Sequence, residues 1–249
     1  MQELIPFYLF EIDYFFNTIK NSQMKASGLD QAFKDYLIYS GKRLGKGVYG
    51  EVFEAKRKDN QTELAVKIIS KNGCNWLFYW VNSYQKNAIE DEIFITQKIK
   101  SEHIVKIDGA REDSSRFYIF MEKCDGSLKK IILNKFSVSV TVKIDYLAQI
   151  VQGLCDLSKA QCLHRELNPD NVLIKGNTVK LTSNGHFKFY LKEMTENNDN
   201  VYYVSPQILR SRPYSSKADI FSVGVIAYQL LQGGELPWGR FTDTEEYVK

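Results

Sequence analysis

Three glycines inside a strand-like pattern are the feature that most constrains the fold of this chain. Residues 44–55 alternate between apolar and polar side chains, and a G-x-G-x-x-G pattern lies within them at residues 45–50. A dinucleotide-binding fold needs this pattern to open a helix, but here the alternation continues. A turn signal, Asp59-Asn60, then precedes a second strand-like run at residues 63–69. The sequence therefore predicts a β-hairpin that carries the glycines, whose lack of Cβ lets the backbone approach phosphate groups.

Strand-like segments come first along the chain, and helical segments follow them. After the hairpin, the pattern predicts a helix at about residues 88–100 and strands at residues 103–107 and 116–122, joined by polar residues 111–115. Beyond Gly126 the pattern becomes helical. This order favours an α+β fold in two lobes.

Two helices in the second half carry most of the helical signal. Ile144, Leu147, Val151 and Leu154 recur at three- and four-residue intervals, which predicts one buried helix face. Residues 218–231 are apolar almost all round. We expect that second helix to lie at the centre of its domain.

Composition and charge exclude several classes of function. The 249 residues are 44% hydrophobic and 25% charged, with a net charge of +3, as in an ordinary globular protein. A charge so near balance does not suggest nucleic acid or an acidic membrane as the main partner. The four cysteines form no C-x-x-C pair and the three histidines are scattered, so neither a zinc site nor a redox motif is indicated. Free thiols are typical of a reducing, cytoplasmic setting.

Residues 1–36 begin with an aromatic run that resembles neither a signal peptide nor a membrane anchor. Glu3, Glu11 and Asp13 interrupt the run, and no basic segment precedes it. Its uninterrupted apolar stretch is about half of what a membrane-spanning helix needs. We expect a short helix that packs on its own domain or on a partner, and no membrane span.

Four further motifs, in a fixed order, identify a family. They are Leu64-Ala65-Val66-Lys67, Phe120 to Cys124 followed by Gly126-Ser127-Leu128, His164-Arg165-Glu166-Leu167-Asn168-Pro169-Asp170-Asn171, and Asp219 to Gly224. With the glycine pattern they resemble the nucleotide strand, hinge, catalytic loop and central helix of the eukaryotic protein kinases of serine/threonine type. The resemblance extends from about residue 37 to residue 249. It implies an N-terminal extension (1–36), a β-rich N-lobe (37–124) and a helical C-lobe (125–249) that lacks its last helices.

The resemblance implies ATP as the ligand. Lys67 would hold the α- and β-phosphates, paired with Glu92, although Glu90 and Asp91 compete for that role. Val52, Ala65 and Leu173 would sandwich the adenine ring. The full set implied for the nucleotide is Leu44, Gly45, Lys46, Gly47, Val48, Tyr49, Gly50, Val52, Ala65, Lys67, Met121, Glu122, Cys124 and Leu173.

The groups that perform phosphoryl transfer in the family have changed here. Glu166 stands where the family has its catalytic aspartate, and Asn168 replaces the lysine that meets the γ-phosphate. Ser183 stands at the metal-binding aspartate of the D-F-G element, which becomes Ser183-Asn184-Gly185. Asn171 keeps the other metal-ligand position, but a neutral amide alone is a poor magnesium site. Magnesium binding is therefore doubtful.

Other departures concern the active arrangement. Asn184 and Thr96 would place polar side chains in an apolar stack, and Ser205-Pro206-Gln207 lacks the glutamate of the A-P-E element. An insert between Lys67 and Glu92 carries an aromatic cluster at residues 76–80 that suits either local core or a docking site.

Three functional hypotheses follow. The first is a pseudokinase, an ATP-binding conformational switch or scaffold in signalling. The second is a divergent active serine/threonine kinase with Glu166 as its base. The third is a structural module with an idle nucleotide site. The protein partner or substrate is not indicated by any motif.

Overall fold

The computed structural model describes residues 33–47, 50–70, 98–133, 138–182, 199–210 and 215–238. These residues group into two compact units. The first contains residues 33–70 and Lys106–Lys123, and the second contains residues 98–105 and 124–238. The two units are described separately below.

The first unit is a five-stranded antiparallel sheet with the order β1-β2-β3-β5-β4. Its strands are β1 (Tyr36–Gly47), β2 (Gly50–Arg57), β3 (Glu63–Ser70), β4 (Ile107–Glu112) and β5 (Arg116–Glu122). The predicted pairing of the two strand-like runs is confirmed in β2 and β3. The prediction that residues 44–55 form one strand is wrong, because residues 44–47 end β1 and the glycine pattern lies where β1 meets β2. In its turn Asn60 N–H donates to Asp59 Oδ1 at 2.6 Å, and Thr62 N–H donates to Asn60 Oδ1 at 3.0 Å.

One face of this sheet forms a dry core. Val66 lies opposite Phe53 on one side and Phe120 on the other, and Val66 and Phe120 are fully buried. Tyr36 stacks on Phe120 with ring centroids 3.8 Å apart, and Phe33 meets Tyr118 edge-on at 4.8 Å. Residues 33–36 thus cover the face that β-branched and aromatic side chains make apolar.

The strand predicted at residues 103–107 is wrong, and β5 is confirmed. Ile104 makes a single parallel bridge to Leu181, and Val105 N–H donates to Leu181 O at 2.9 Å. These bonds tie the segment to the second unit, so β4 begins only at Ile107. The polar connector is shorter than predicted because Asp113 accepts the N–H groups of Ser115 and Arg116, both at 2.7 Å, and closes the turn.

The second unit combines a small sheet with helices. Its elements are β6 (Gly126–Ser127), α1 (Leu128–Leu133), α2 (Val140–Lys159), β7 (Val172–Lys175), β8 (Thr178–Leu181), a 3-10 turn (Asp199–Tyr203), α3 (Pro206–Leu209) and α4 (Ser216–Leu231). The strands form an antiparallel sheet with the order β6-β7-β8. No helix among the described residues is long and apolar enough to cross a membrane.

Helix α2 forms as predicted, and its buried face is the predicted one in part: Leu154 is buried and Leu147 packs against the core. Ile150 is fully buried, whereas Ile144 is 57% exposed and Val151 is 40% exposed. The face toward the core consists of Tyr146, Ile150, Gly153, Leu154 and Leu157. Both stripes have helical spacing, and the packing of β8 and α4 on this helix selects the second one.

Helix α4 contributes to the core of the second unit along one side. Ile226 is fully buried and Val225 is 3% exposed, as the apolar sequence predicts. Ile220 and Leu231 are 56% and 45% exposed, so among the described residues the helix is not covered all round. Its buried side also contains Asp219, which matters for the site.

Candidate functional site

In the first unit, the sheet gathers four of the predicted nucleotide residues on one face. Val52 lies directly opposite Lys67, and Ala65 lies directly opposite Met121. Ala65 and Lys67 are two residues apart on β3, so their side chains leave the same face of the sheet. This face is opposite to the one buried under Phe33 and Tyr36. The sequence-predicted cluster of Val52, Ala65, Lys67 and Met121 is therefore brought together within this unit.

The glycine pattern lies at the end of the β1–β2 hairpin. Gly47 pairs with Gly50, while Leu44, Gly45 and Lys46 belong to β1. Gly50 has a φ of +153°, and a Cβ there would clash with Ile68 O. This glycine is required by the close approach of β3.

Ion pairs surround the C-terminal end of β5, and no motif in the sequence predicted them. Lys123 Nζ lies 2.7 Å from Glu54 Oε1 and 3.3 Å from Glu63 Oε2, and Lys42 Nζ lies 3.0 Å from Glu54 Oε2. Glu54 raises the pKa of Lys123, and Lys123 lowers the pKa of Glu54. These groups are solvated, so the ion pairs add little to the stability of the fold. Their effect is to hold the Lys123 side chain beside β2 and β3.

In the second unit, a buried carboxylate holds the backbone of the loop at residues 164–171. Asp219, 3% exposed at the start of α4, accepts the N–H groups of His164 at 3.0 Å and Arg165 at 2.8 Å. Arg165 has a φ of +68°, a conformation that such bonds must hold. Sequence analysis used Asp219 only to recognise a motif. The signal for its role was a carboxylate at the start of an otherwise apolar helix.

His164 lies fully inside this unit. Burial lowers the pKa of its imidazole, and the nearby Asp219 carboxylate opposes that shift. Backbone groups of Thr182 and of His164 itself also oppose the shift in pKa, although neither ring nitrogen makes a hydrogen bond of good geometry to a described residue. The side chain is therefore a neutral core group.

Asn168 faces into its own loop. It is 2% exposed, and its Oδ1 accepts the N–H groups of Asp170 at 2.9 Å and Asn171 at 3.1 Å. Its Nδ2 donates to Glu166 O at 3.2 Å, and Asn171 Nδ2 donates to the same oxygen at 2.8 Å. The sequence-predicted set of Glu166, Asn168 and Asn171 is thus one hydrogen-bonded unit, which leaves Asn168 with a loop-closing role.

The remaining predicted positions are distributed as follows. Leu173 lies on β7 opposite Ser127 and is half-buried, and Cys124, at the start of the second unit, is half-buried and not in a disulfide. Several predicted positions lie outside the described residues. They are Val48, Tyr49, Thr96, Glu92, Ser183, Asn184, Gly185 and the aromatic insert at residues 76–80.

Among the described residues, the donors do not fit a magnesium site well. In the described part of the chain, no group of three or more His, Cys, Asp or Glu side chains is placed to hold a metal. Asn171 Nδ2 donates a hydrogen bond to Glu166 O, so only its amide oxygen remains as a ligand for magnesium. In phosphate sites magnesium is usually held by carboxylates.

Comparison with known proteins agrees with the motifs. Residues 38–249 match the model of the protein kinase domain. Protein-tyrosine kinase 6 of Mus musculus is 26% identical over 84% of this chain and 46% of its own length. Serine/threonine-protein kinase 33 of Bos taurus is 28% identical over 79% of the chain and 42% of its own length. Calcium-dependent protein kinase 5 of Plasmodium falciparum is 32% identical over 77% of the chain and 33% of its own length.

The chain spans less than half the length of these three relatives. The family match nevertheless covers most of the chain, and it covers both units described above. Four features follow one another along the chain in the order of the family's motifs. They are the glycine pattern at residues 45–50, Lys67 on β3, the loop at residues 164–171 and Asp219 at the start of α4. This chain belongs to the protein kinase domain family.

Proposed function

We propose that this domain is a pseudokinase, which binds ATP and acts as a conformational switch or scaffold without efficient phosphoryl transfer. The observation that carries the proposal is the contrast between two sets of residues. Val52, Ala65, Lys67 and Met121 share one sheet face, as a nucleotide site requires. The loop that would perform chemistry has Glu166 and a buried Asn168 in place of the family's catalytic aspartate and lysine.

The altered loop removes the main sources of catalysis. Phosphoryl transfer depends on positioning and on neutralising the charge of the transferred group. A glutamate extends one methylene further than an aspartate, and a displacement of about 1 Å can cost about a hundredfold in rate. Asn168 provides no positive charge, and its amide is engaged within the loop.

Magnesium contributes little in this proposal. A bound magnesium ion would neutralise charge on the β- and γ-phosphates. The chain offers the Asn171 amide and, by sequence alignment with the family, the Ser183 hydroxyl. Neither group is anionic, so the ion would be held mainly by the nucleotide itself.

A divergent active serine/threonine kinase is the second candidate. Glu166 favours it because a carboxylate remains at the catalytic position, and the relatives named above are kinases by name. In that case Glu166 would accept the proton of a protein hydroxyl, with metal held by groups outside the loop.

Thermal shift and phosphate transfer separate the candidates. We expect ATP to raise the melting temperature of the full chain, with little further gain from excess magnesium, and no transfer of labelled γ-phosphate to a generic protein or to the chain itself. Lys67→Met should abolish the shift. Lys58→Met, at the β2–β3 turn, is the matched control and should keep it. Stabilisation that requires magnesium, together with turnover, would favour the active kinase, whereas no shift in any condition would favour an idle site.

A further inference from the structure

Residues 33–36, here called the latch, lie on the aromatic face of the first unit. The Phe33 ring meets Tyr118 edge-on, with centroids 4.8 Å apart, and the Tyr36 ring stacks on Phe120 at 3.8 Å. Both latch side chains are buried. The two rings therefore exclude water from this face of the sheet.

Polar contacts join the latch to strand β4. Tyr36 Oη donates to Asp108 Oδ2 at 2.9 Å, and Arg57 Nη2 lies 3.1 Å from the same oxygen. Arg111 Nη2 donates to Asp35 Oδ2 at 2.6 Å, and its guanidinium carbon lies 5.3 Å from the centre of the Tyr36 ring. Burial raises the pKa of the Tyr36 hydroxyl and the Asp108 carboxylate raises it further, so the hydroxyl stays protonated as a donor.

Strand β4 is shaped to receive Tyr36. Its pairing with β5 shifts register between Ile107 and Gly109, and a Cβ on Gly109 would lie 2.6 Å from Tyr36 Oη. Because packed atoms cannot approach so closely, a larger residue at this position would push the tyrosine hydroxyl away from Asp108.

The contacts of the latch are local to the edge of the unit. Of its four residues only Tyr36 belongs to a strand. The side chains of Asp35 and Arg111 are 48% and 23% exposed, and solvated ion pairs add little to stability. Opening the latch would therefore cost less free energy than unfolding the five-stranded sheet.

Opening the latch would loosen the strand that carries Lys67. Phe120, which lies under the Tyr36 ring, pairs directly with Val66 on β3. Lys67 is the next residue, and its side chain leaves the opposite face of the sheet. Water that reached Phe120 would remove apolar burial that orders both strands, so the position of Lys67 depends on the closed latch.

We propose that the latch is an allosteric device, which in its closed state orders β3 and so raises the ATP affinity of the nucleotide site. This inference rests on the proposed function, because it assumes that Lys67 binds the nucleotide. Thermodynamic linkage makes the coupling reciprocal. ATP would favour the closed latch, and a partner that releases residues 33–36 would lower the affinity for ATP.

Two glycine variants of the full chain test the coupling. Gly109→Ala should displace Tyr36, whereas Gly41→Ala is the matched control because nothing lies within 4 Å of a Cβ there. Calorimetric titration well below the melting temperature should give an ATP dissociation constant about fivefold or more higher for Gly109→Ala than for the unmodified chain, and an unchanged constant for Gly41→Ala. Without nucleotide, hydrogen exchange in β3 should be faster in Gly109→Ala alone.

The outcomes separate the coupling from the nucleotide site itself. An unchanged ATP constant in Gly109→Ala overturns the coupling and leaves the proposed function intact, whereas an unmodified chain that binds no ATP contradicts both. Should Gly109→Ala not fold, Tyr36→Phe keeps the ring, loses the bond to Asp108 and should weaken ATP binding in the same direction. On the unmodified chain, saturating ATP should slow hydrogen exchange at residues 33–36 more than in α2, and equal slowing would also overturn the coupling.

Discussion

The carboxylate of Asp219 accepts the backbone N–H of Arg165 at 2.8 Å, which fastens the loop at residues 164–171 to the start of helix α4. A second bond from His164 N–H to the other oxygen makes the contact two-pronged. Each oxygen of the aspartate accepts one of the two bonds, whereas an asparagine has a single acceptor oxygen and would turn its NH2 group toward the other N–H.

Replacing this carboxylate should therefore destabilise the second unit. For Asp219→Asn we expect a loss of about 1–3 kcal/mol, because one buried N–H then faces a donor. Glu235→Gln, at an exposed carboxylate that follows α4, is the matched control and should change stability by about 0.5 kcal/mol or less. Urea unfolding of both variants provides the measurement. Equal stability of the two variants would contradict the anchoring role.

Replacing a helical glycine with alanine should change stability in opposite directions on α2 and α4. At Gly153 a Cβ would meet Leu181 Cδ1 at 2.9 Å and His103 O at 3.2 Å, whereas at Gly224 on α4 nothing lies within 4 Å. Gly153→Ala should cost about 1–3 kcal/mol through overpacking. Gly224→Ala should gain about 0.5–1 kcal/mol from helix propensity. Denaturant midpoints of the two variants test this, and a stabilised Gly153→Ala would show that the contact at Leu181 is loose.

The buried His164 should make stability depend on pH. Its folded pKa is lowered by burial, whereas in the unfolded chain the imidazole binds a proton near about pH 6.5. Below about pH 6.5 the unfolded chain binds more protons at this residue than the folded chain does. The contribution of His164 to the free energy of unfolding is therefore complete above about pH 6.5 and is lost as the pH falls toward the folded pKa. The loss is at most about 1.4 kcal/mol per pH unit.

The His164→Leu variant isolates this contribution. Urea midpoints at about pH 7.5 and about pH 5.5 should differ less in the variant than in the unmodified chain. The same decrease in both proteins would assign the pH dependence to other groups.

Repair of the two family carboxylates should not restore catalysis. With Glu166→Asp and Ser183→Asp we expect better magnesium–ATP binding and nearly no transfer of labelled γ-phosphate. General-base positioning is worth about 10² to 10⁴ in rate, but the loop would still lack a cation at Asn168. Robust turnover by this double variant would show that the two carboxylates alone account for the lost activity and that Asn168 does not limit it.

Adding Asn168→Lys to that repair tests whether the loop can be rebuilt. The structure predicts a cost, since the lysine would lose the bonds that Asn168 makes to Asp170 and Asn171. We expect a lower melting temperature for the triple variant than for the double variant. Activity that rises without loss of stability would show that the loop adapts to an outward-facing lysine.

The sequence determined the elements whose signal is local. Alternation and a turn at Asp59-Asn60 predicted the hairpin of β2 and β3, and β5 has the bounds that its apolar pattern indicated. The motifs predicted the family. Ala65 and Lys67 are two residues apart on β3, so the alternation of side chains along a strand places them on one face. These features follow from the chain's own periodicity and turn chemistry.

Tertiary structure decided which of several equivalent local choices was used. Helical spacing suits both Ile144 and Ile150, and the packing of β8 and α4 on α2, with Leu181 close to Gly153, selects the buried side. Likewise, the residues around His103 bond to Leu181 at the end of β8 and not to β5, so β4 begins only at Ile107. The inward position of Asn168 depends on loop closure in space, because an asparagine bonds equally well to water or to its own backbone. Burial removes the water, and the backbone bonds remain.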